Sequence, residues 1–193
     1  MRFTLVPEYK FDSFDEATAE FLLSIGVRGV LLDIDNTLEP YEHPTPGEHV
    51  IAWLDSLRAV GIKTAIVSNN NKARLDRFNK DIGMPGIAKA GKPFARSLRR
   101  AMRDIETVKE NTIFIGDQIL TDVWAAHNAG IRAILVPPIN DRRDPLTRLK
   151  RVLERPIQRK YDRIHREEKQ YWQHILDQVA TVTPFAWQDS NQP

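Results

Sequence analysis

The feature of this sequence that most constrains its fold is a regular alternation of short apolar runs with amphipathic segments between residues 28 and 138. Three runs, 29–33, 63–68 and 112–116, are rich in β-branched residues and apolar at consecutive positions. Such runs are typical of strands that are covered on both faces, and the segments between them are typical of crossover helices. The alternation therefore predicts an α/β fold with a doubly wound, mostly parallel sheet.

The same pattern divides the rest of the chain into elements. Helices are predicted over 49–60, 72–81, 94–104 and 122–129, and a fourth strand over 133–136 is ended by two prolines, which cannot continue a ladder. The first 27 residues are expected to cover the sheet as a strand or loop followed by a helix. We predict one domain over 1–140 and a helical extension over 141–193.

Composition excludes several classes of chemistry. The chain has no cysteine, which removes disulfides, thiolate nucleophiles and sulfur-bound zinc. Its five histidines are scattered, without the short spacing of a metal-binding pair. No apolar run is long enough to cross a membrane, and the N-terminus lacks the order of a secretory signal, so a cytoplasmic protein is expected.

Polar residues follow the three clear strands at their carboxyl ends. Asp33, Ser68 and Asp117 stand at these positions. Ligands of open α/β sheets bind beyond the carboxyl ends of the strands, so these residues are expected to meet at the edge where chemistry takes place.

Two carboxylates, Asp33 and Asp35, stand two residues apart where the first of these strands enters a loop. One could attack phosphorus while the other handles protons during hydrolysis of a phosphate ester. The alternative is an Asx-rich turn, because Asp and Asn are common after strands.

A second acidic segment, 116–122, follows the third strand. Mg²⁺ takes oxygen ligands, and Asp33, Asp117 and the main-chain carbonyl of Asp35 could supply them. Asp122 could instead cap the next helix or orient waters on the metal, and we expect a supporting role for it rather than direct ligation.

Donors to a phosphate group are expected from two further segments. The hydroxyl and backbone N–H of Ser68, with Asn69 beside it, could donate to phosphate oxygens, although a helix cap has the same geometry. Lys92 could supply a fixed positive charge beside the carboxylates. Lys89 is its competitor, but Pro93 fixes the chain directly after Lys92 and favours the latter.

The order and spacing of DxDxT at 33–37, Ser68, Lys92 and GDxxxTD at 116–122 resemble the haloacid dehalogenase phosphatases. The resemblance implies Asp33 as nucleophile, Asp35 as general acid and base, Ser68 and Lys92 as stabilisers of the phosphate and nucleophile, and Mg²⁺ as cofactor. The implied ligands of the magnesium ion are Asp33, the main chain of Asp35, and Asp117. Thr37 and Asp122 would support these ligands.

The strings LLDIDNTLEPYEHP, IVSNNNKARL, KAGKPF and GDQILTDVWAAHNAGIRAILVPPI are more narrowly similar to the YqeG-type branch of subfamily IIIA, akin to mitochondrial phosphatidylglycerophosphate phosphatases. That similarity implies removal of the terminal phosphate of phosphatidylglycerophosphate. Two alternatives remain open, a phosphatase for a soluble sugar or nucleotide phosphate and a non-catalytic partner-binding module, for instance in ribosome assembly. The intervals between Asp35, Ser68 and Lys92 are too short for a sizeable cap domain, so an open site is expected.

The positive charge of the chain is concentrated near its C-terminus. Residues 1–140 hold 17 Lys and Arg against 18 Asp and Glu, whereas residues 141–169 hold 11 against 6. Apolar residues at helical spacing lie among these charges, at Leu146, Leu149, Leu153, Ile157, Tyr161 and Ile164, with Pro156 as a point of interruption.

A basic amphipathic helix of this kind can lie on anionic lipid, and peripheral membrane contact on the cytosolic face through 141–169 is one interpretation. Packing against the catalytic domain or a second subunit is another. Nucleic-acid binding is disfavoured because no aromatic residues or known module accompany the charge. Trp172 and Trp187 fit a lipid interface and buried packing equally well.

Overall fold

The structure is a computed structural model that describes residues 5–140 and 152–166. Within these residues one sheet has the strand order β1-β6-β5-β2-β3-β4, and every neighbouring pair is parallel. Its strands are β1 (Tyr9–Lys10), β2 (Gly29–Leu32), β3 (Lys63–Val67), β4 (Gly86–Ile87), β5 (Thr112–Gly116) and β6 (Arg132–Leu135). The predicted α/β fold with a parallel sheet is confirmed.

Helices connect the strands and cover the sheet. They are α1 (Ala19–Ser24), α2 (Glu48–Ala59), α3 (Lys72–Asn79), α4 (Arg96–Asp104), α5 (Trp124–Ala129) and α6 at 152–166. Short 3₁₀ turns occupy Phe14–Glu16 and Lys109–Asn111. The predicted start of the last crossover helix was wrong, because Ile119–Val123 forms a π-helical turn before α5 begins.

The two edge strands are only two residues long. β1 pairs with β6 and is followed by α1, which meets the expectation for the first 27 residues. β4 pairs with β3 and was not predicted, since a strand of two residues leaves no period in the sequence.

Two apolar layers cover the two faces of the sheet. Successive residues of a strand face opposite sides. Val30 and Leu32 accordingly contribute to the layer with α1, α2 and α3, whereas Leu31 contributes to the layer with α4 and α5. This double burial explains why the central strands are apolar at consecutive positions.

The strand order reverses between β2 and β5. The chain builds outward from β2 to β3 and β4, then returns to the other side of β2 with β5 and β6. A crevice opens at such a switch point, at the carboxyl ends of the strands. The segments 33–47 and 68–71 enter the next helices without a helix of their own, so a sizeable cap domain is absent from the described part of the chain, as predicted.

The described part of the C-terminal extension is helical and packs on the domain. α6 continues through Pro156, so the interruption considered there does not occur. Ile157 contacts the apolar layer beside α4 and α5, and Glu154 is fully buried. Leu146, Leu149, Trp172 and Trp187 lie outside the described residues, and the division at residue 140 stays a prediction. In the described ranges, no helix has the length and apolarity needed to cross a bilayer.

Candidate active site

The central strands β2 and β5 bring two carboxylates together at the switch point. Their register pairs Leu32 with Ile115, so Asp33 and Asp117 follow adjacent strands at nearly the same level. The N–H of Asp33 donates to the carbonyl of Ile115 at 3.0 Å, which extends the ladder to the aspartate itself.

Asp122 joins them to form a buried acidic cluster. Asp33, Asp117 and Asp122 are 6%, 1% and 1% exposed, and one carboxylate oxygen from each lies within 4.8 Å of the others. Three carboxylates at this spacing, out of water, repel one another unless cations are present. Oxygen donors at this separation fit a divalent cation such as Mg²⁺, and the Thr37 hydroxyl donates to Asp117 Oδ1 at 3.3 Å.

Lys92 supplies one positive charge inside this cluster. It comes from the loop between β4 and α4, and its side chain is only 2% exposed. Its Nζ lies 2.9 Å from Asp33 Oδ1 and 2.7 Å from Asp122 Oδ1. Lys89, the competing lysine of the sequence, is exposed and has no part in these contacts.

These charges shift the titration of the groups that carry them. Burial raises the pKa of the Asp33 carboxyl to about 7, against the opposing effect of the Lys92 ammonium, and the negative charge of Asp122 adds to the rise. Burial alone would lower the pKa of Lys92, but the carboxylates of Asp122 and Asp33 outweigh it and raise that pKa above its ordinary value. Lys92 is therefore cationic, and a metal ion would favour the ionised form of Asp33.

Asp35 is held by two side chains that sequence reasoning did not single out. Arg74 Nε donates to Asp35 Oδ1 at 3.0 Å, and Asn70 Nδ2 donates to Oδ2 at 3.1 Å. Arg74 is only 4% exposed and also donates to the carbonyl of Pro44 at 2.9 Å. The loop that follows β2 is thus fastened to α3, and the Asp35 carboxylate has a fixed position.

Ser68 and Asn69 have different contacts from those expected. The Ser68 N–H donates to the Ile87 carbonyl at 3.0 Å in the β3–β4 ladder, so the prediction that it also donates to phosphate was wrong. The Ser68 Oγ accepts from the N–H of Asn70 at 3.1 Å, which leaves its hydroxyl hydrogen available.

The Asn69 side chain forms two hydrogen bonds with the backbone of Lys92. Its Oδ1 accepts from the Lys92 N–H at 2.8 Å, and its Nδ2 donates to the Lys92 carbonyl at 3.2 Å. Asn69 therefore holds the lysine loop through its amide, and its role as a phosphate donor stays a prediction.

The π-helical turn places the Asp122 carboxylate back under the end of β5. Asp122 Oδ2 accepts from the N–H of Gln118 at 3.0 Å, so the carboxylate closes its own turn rather than capping a later helix. A Cβ at Gly116 would lie 2.5 Å from the Asp122 Cβ and 2.6 Å from its Cγ. Only glycine fits at that position with Asp122 where it is.

This arrangement defines the chain as a Rossmann-like α/β protein with an acidic, lysine-containing site at the switch point. The HAD-hydrolase-like family model matches residues 89–154. Over 156 residues the chain is 38% identical to "Probable phosphatase YqeG" of Bacillus subtilis (strain 168), a match that covers 81% of this chain and 90% of the relative. The chain belongs to the haloacid dehalogenase-type phosphatases, in the branch of YqeG.

A solved structure supports the same fold. A mutant form of CbbY from Rhodobacter sphaeroides, in complex with xylulose 1,5-bisphosphate, matches with a TM-score of 0.50 and 13% identity. The match covers 61% of this chain and 89% of that one. At this identity the likeness extends to the fold alone.

Proposed function

We propose that this phosphatase hydrolyses the terminal phosphate monoester of phosphatidylglycerophosphate, with Mg²⁺ as cofactor and Asp33 as nucleophile. The observation that carries the chemistry is the buried cluster of Asp33, Asp117 and Asp122 with the Lys92 ammonium inside it. A buried carboxylate beside a fixed cation and a cation-binding set of oxygens is suited to accept a phosphoryl group.

Asp33 and Asp117 are the side chains that would hold the metal, with the carbonyl of Asp35 as a third oxygen. When bound, a divalent cation neutralises negative charge on the transferred phosphoryl group and on the carboxylates around it. Asp122 forms an ion pair with Lys92 and accepts a hydrogen bond from the Gln118 N–H. These contacts support a role for Asp122 in positioning Lys92 rather than in direct ligation of the metal.

The nucleophilic attack, the proton transfers and the stabilisation of the phosphate charge are assigned to separate side chains of this protein. An Asp33 oxygen attacks phosphorus, the bond from phosphorus to the ester oxygen breaks, and Asp35 gives its proton to the departing alcohol. Water then attacks the phosphorylated Asp33, Asp35 takes a proton from it, and phosphate leaves as the bond to Asp33 breaks. Lys92 and the Ser68 hydroxyl offset the phosphate charge in both steps.

A lipid substrate is supported by exposed apolar residues around the site. Phe94 is 75% exposed two residues after Lys92, and Tyr41 lies in the loop that follows β2 with 46% of its surface exposed. Ile139 is 49% exposed, and its N–H donates to the Asn36 carbonyl beside Asp35 at 3.0 Å. Apolar side chains around an uncapped site suit contact with a bilayer surface.

The outward face of α6 supports contact with an anionic membrane. Its exposed basic residues are Arg159, Lys160, Arg163 and Arg166. Each basic residue near an anionic surface contributes on the order of 1 kcal/mol. We therefore propose that the protein works at the cytosolic face of a membrane, with α6 packed on its own domain rather than detached from it.

The chemistry is tested by turnover of phosphatidylglycerophosphate in anionic vesicles with Mg²⁺ and then with EDTA. Asp33→Asn is nearly isosteric and should remove turnover, and EDTA should do the same to the unaltered enzyme until Mg²⁺ is restored. Turnover that survives in Asp33→Asn would remove Asp33 from the mechanism.

The lipid assignment is tested by comparing those vesicles with soluble sugar and nucleotide phosphates. Phe94→Ser should lower activity on vesicles and leave soluble esters unaffected. Val108→Ser is the matched control, since Val108 is 56% exposed near the amino end of β5, at the opposite edge of the sheet. A strong preference for a soluble ester, with Phe94→Ser without effect on vesicles, would defeat the lipid assignment.

A further inference from the structure

A cleft of about 440 Å³ lies beside the acidic cluster, between the end of the sheet and α6. Asp117 stands in its wall, so the cleft begins at the candidate metal site. A cavity of similar volume, about 450 Å³, lies at the opposite edge of the sheet among Arg58, Lys63 and Asp104, away from every candidate site residue. The cleft at Asp117 is therefore where the part of the substrate beyond the reacting phosphate would lie.

The cleft has one apolar wall and one polar wall. Val136 and Pro137 form the apolar side as the chain leaves β6. Lys10 from β1 and Arg155 and Gln158 from α6 provide donors. Asp12 also lines the cleft, so an anion there must lie toward Arg155 and away from that carboxylate.

Arg155 is the group best placed to bind an anion in this cleft. Its side chain is exposed, and within residues 5–140 and 152–166 it forms no ion pair with a carboxylate. The Lys10 ammonium is partly compensated, since its Nζ lies 3.1 Å from Asp162 Oδ1. Arg155 therefore carries the uncompensated charge, and Lys10 adds to it.

The position of Arg155 is built into the fold. The preceding residue, Glu154, is fully buried and accepts a hydrogen bond from the N–H of Leu120 at 2.9 Å. Leu120 belongs to the π-helical turn that follows Asp117 and contains Asp122, so α6 is joined to the acidic loop itself. The contact of Lys10 with Asp162 fastens the helix a second time.

We propose that Arg155, assisted by Lys10, binds a second anionic group of the substrate, a phosphate or phosphodiester carried on the alcohol that leaves. This rests on the proposed phosphatase function, because Asp117 marks the reacting end of the cleft. The substrate class is then a phosphate monoester whose leaving group bears another negative charge a short distance away, next to an apolar segment.

The test compares three esters on the full chain: p-nitrophenyl phosphate, with one anionic group, the deacylated headgroup of phosphatidylglycerophosphate, and fructose 1,6-bisphosphate. The quantity compared is kcat/KM for a two-anion ester divided by kcat/KM for p-nitrophenyl phosphate. Arg155→Gln should lower this ratio about tenfold, which corresponds to the loss of one charged hydrogen bond. Lys10→Gln should lower it in the same direction and by less.

The control is Arg103→Gln, which removes the same charge from the exposed side of α4 and lies outside the cleft. It should leave the ratio unchanged. A fall with the headgroup points to lipid as the source of the second anion, and a fall with fructose bisphosphate alone points to a soluble ester. An unchanged ratio in Arg155→Gln for both two-anion esters, or an equal fall in Arg103→Gln, overturns the proposal.

Calorimetric titration with the headgroup gives a readout that needs no turnover. Arg155→Gln should weaken binding by a similar factor. If no ester is hydrolysed in a manner that depends on Asp33, the proposed function fails, and this titration still decides whether the cleft binds the anion.

Discussion

Replacing Lys92 by methionine should destabilise the metal-free protein, and the structure indicates by how much. The Lys92 side chain is 2% exposed, and its Nζ lies within 3 Å of oxygens from Asp33 and Asp122. At such separations each ion pair is worth about 6 kcal/mol at an effective dielectric constant of about 20, before the cost of removing the charges from water. Methionine fills nearly the same space but leaves the carboxylates without their cation.

Breaking a buried ion pair from one side typically costs about 3 to 5 kcal/mol, because the remaining charge stays buried. In a chain of this length that corresponds to a fall in Tm of roughly 6 to 20 °C. The deficit should shrink as pH is lowered, since protonation of the carboxylates removes their repulsion. It should also shrink with added Mg²⁺, because a divalent cation replaces the missing charge.

The assay is thermal and urea unfolding of Lys92→Met in EDTA and in Mg²⁺, beside a matched variant. Lys63→Met removes a lysine whose Nζ lies 2.7 Å from Glu106, but both of those side chains are exposed at 48% and 82%. Exposed pairs contribute little, so Lys63→Met should leave the Tm nearly unchanged. Equal stability of the two variants in EDTA would refute the account of the buried cluster.

Three further predictions concern other contacts. Asp33→Asn should raise the Tm of the metal-free protein near neutral pH. Burial raises the pKa of Asp33 to about 7 even with Lys92 beside it, so ionisation of Asp33 as pH rises from the ordinary value of 3.8 opposes folding, and Lys92 keeps Asp122 as its partner in the variant. A Tm below that of the unaltered enzyme in EDTA would contradict this prediction. Arg74→Ala should lower kcat by about tenfold or more, because it removes a charged hydrogen bond and frees the Asp35 carboxylate to move. Arg77→Ala, on the same helix, should have little effect on kcat. Steady-state kinetics with a soluble ester tests both variants. Glu8→Gln should flatten the loss of stability in acid. Burial would raise the pKa of Glu8, but hydrogen bonds with His127 and the Ala133 N–H outweigh it and lower that pKa, so the stabilising effect of Glu8 is present above the ordinary value of 4.5 and is lost as pH falls through the lowered pKa. An unchanged pH profile of unfolding in the variant would exclude this role of Glu8.

Sequence reasoning found the parts of the site that lie at strand ends. Asp33 and Asp117 follow long buried strands, and the carboxyl ends of parallel strands must meet at one edge. Lys92 was predicted from the chemistry that a cluster of carboxylates requires, and it lies among those carboxylates. The meeting of these residues could be predicted because it depends on strand order and charge alone.

The parts that were missed depend on how separate elements approach each other. Arg74 reaches Asp35 only because α3 packs beside the loop after β2, and nothing in its local sequence marks that contact. The Ser68 N–H is occupied because β4 pairs there, and β4 is too short to leave a period. Glu154 was counted only as one of the acidic residues of the basic segment 141–169, whereas α6 packs on the domain and buries it.

The close approach of Gly116 to Asp122 limits how this enzyme can be changed by mutation. At most positions alanine is the mildest replacement. At Gly116 its methyl group would either displace the Asp122 carboxylate from Lys92 or bend the end of β5. A library that varies Gln118, Leu120 and Thr121 while keeping residue 116 fixed should therefore yield many more active clones than one in which residue 116 alone is varied.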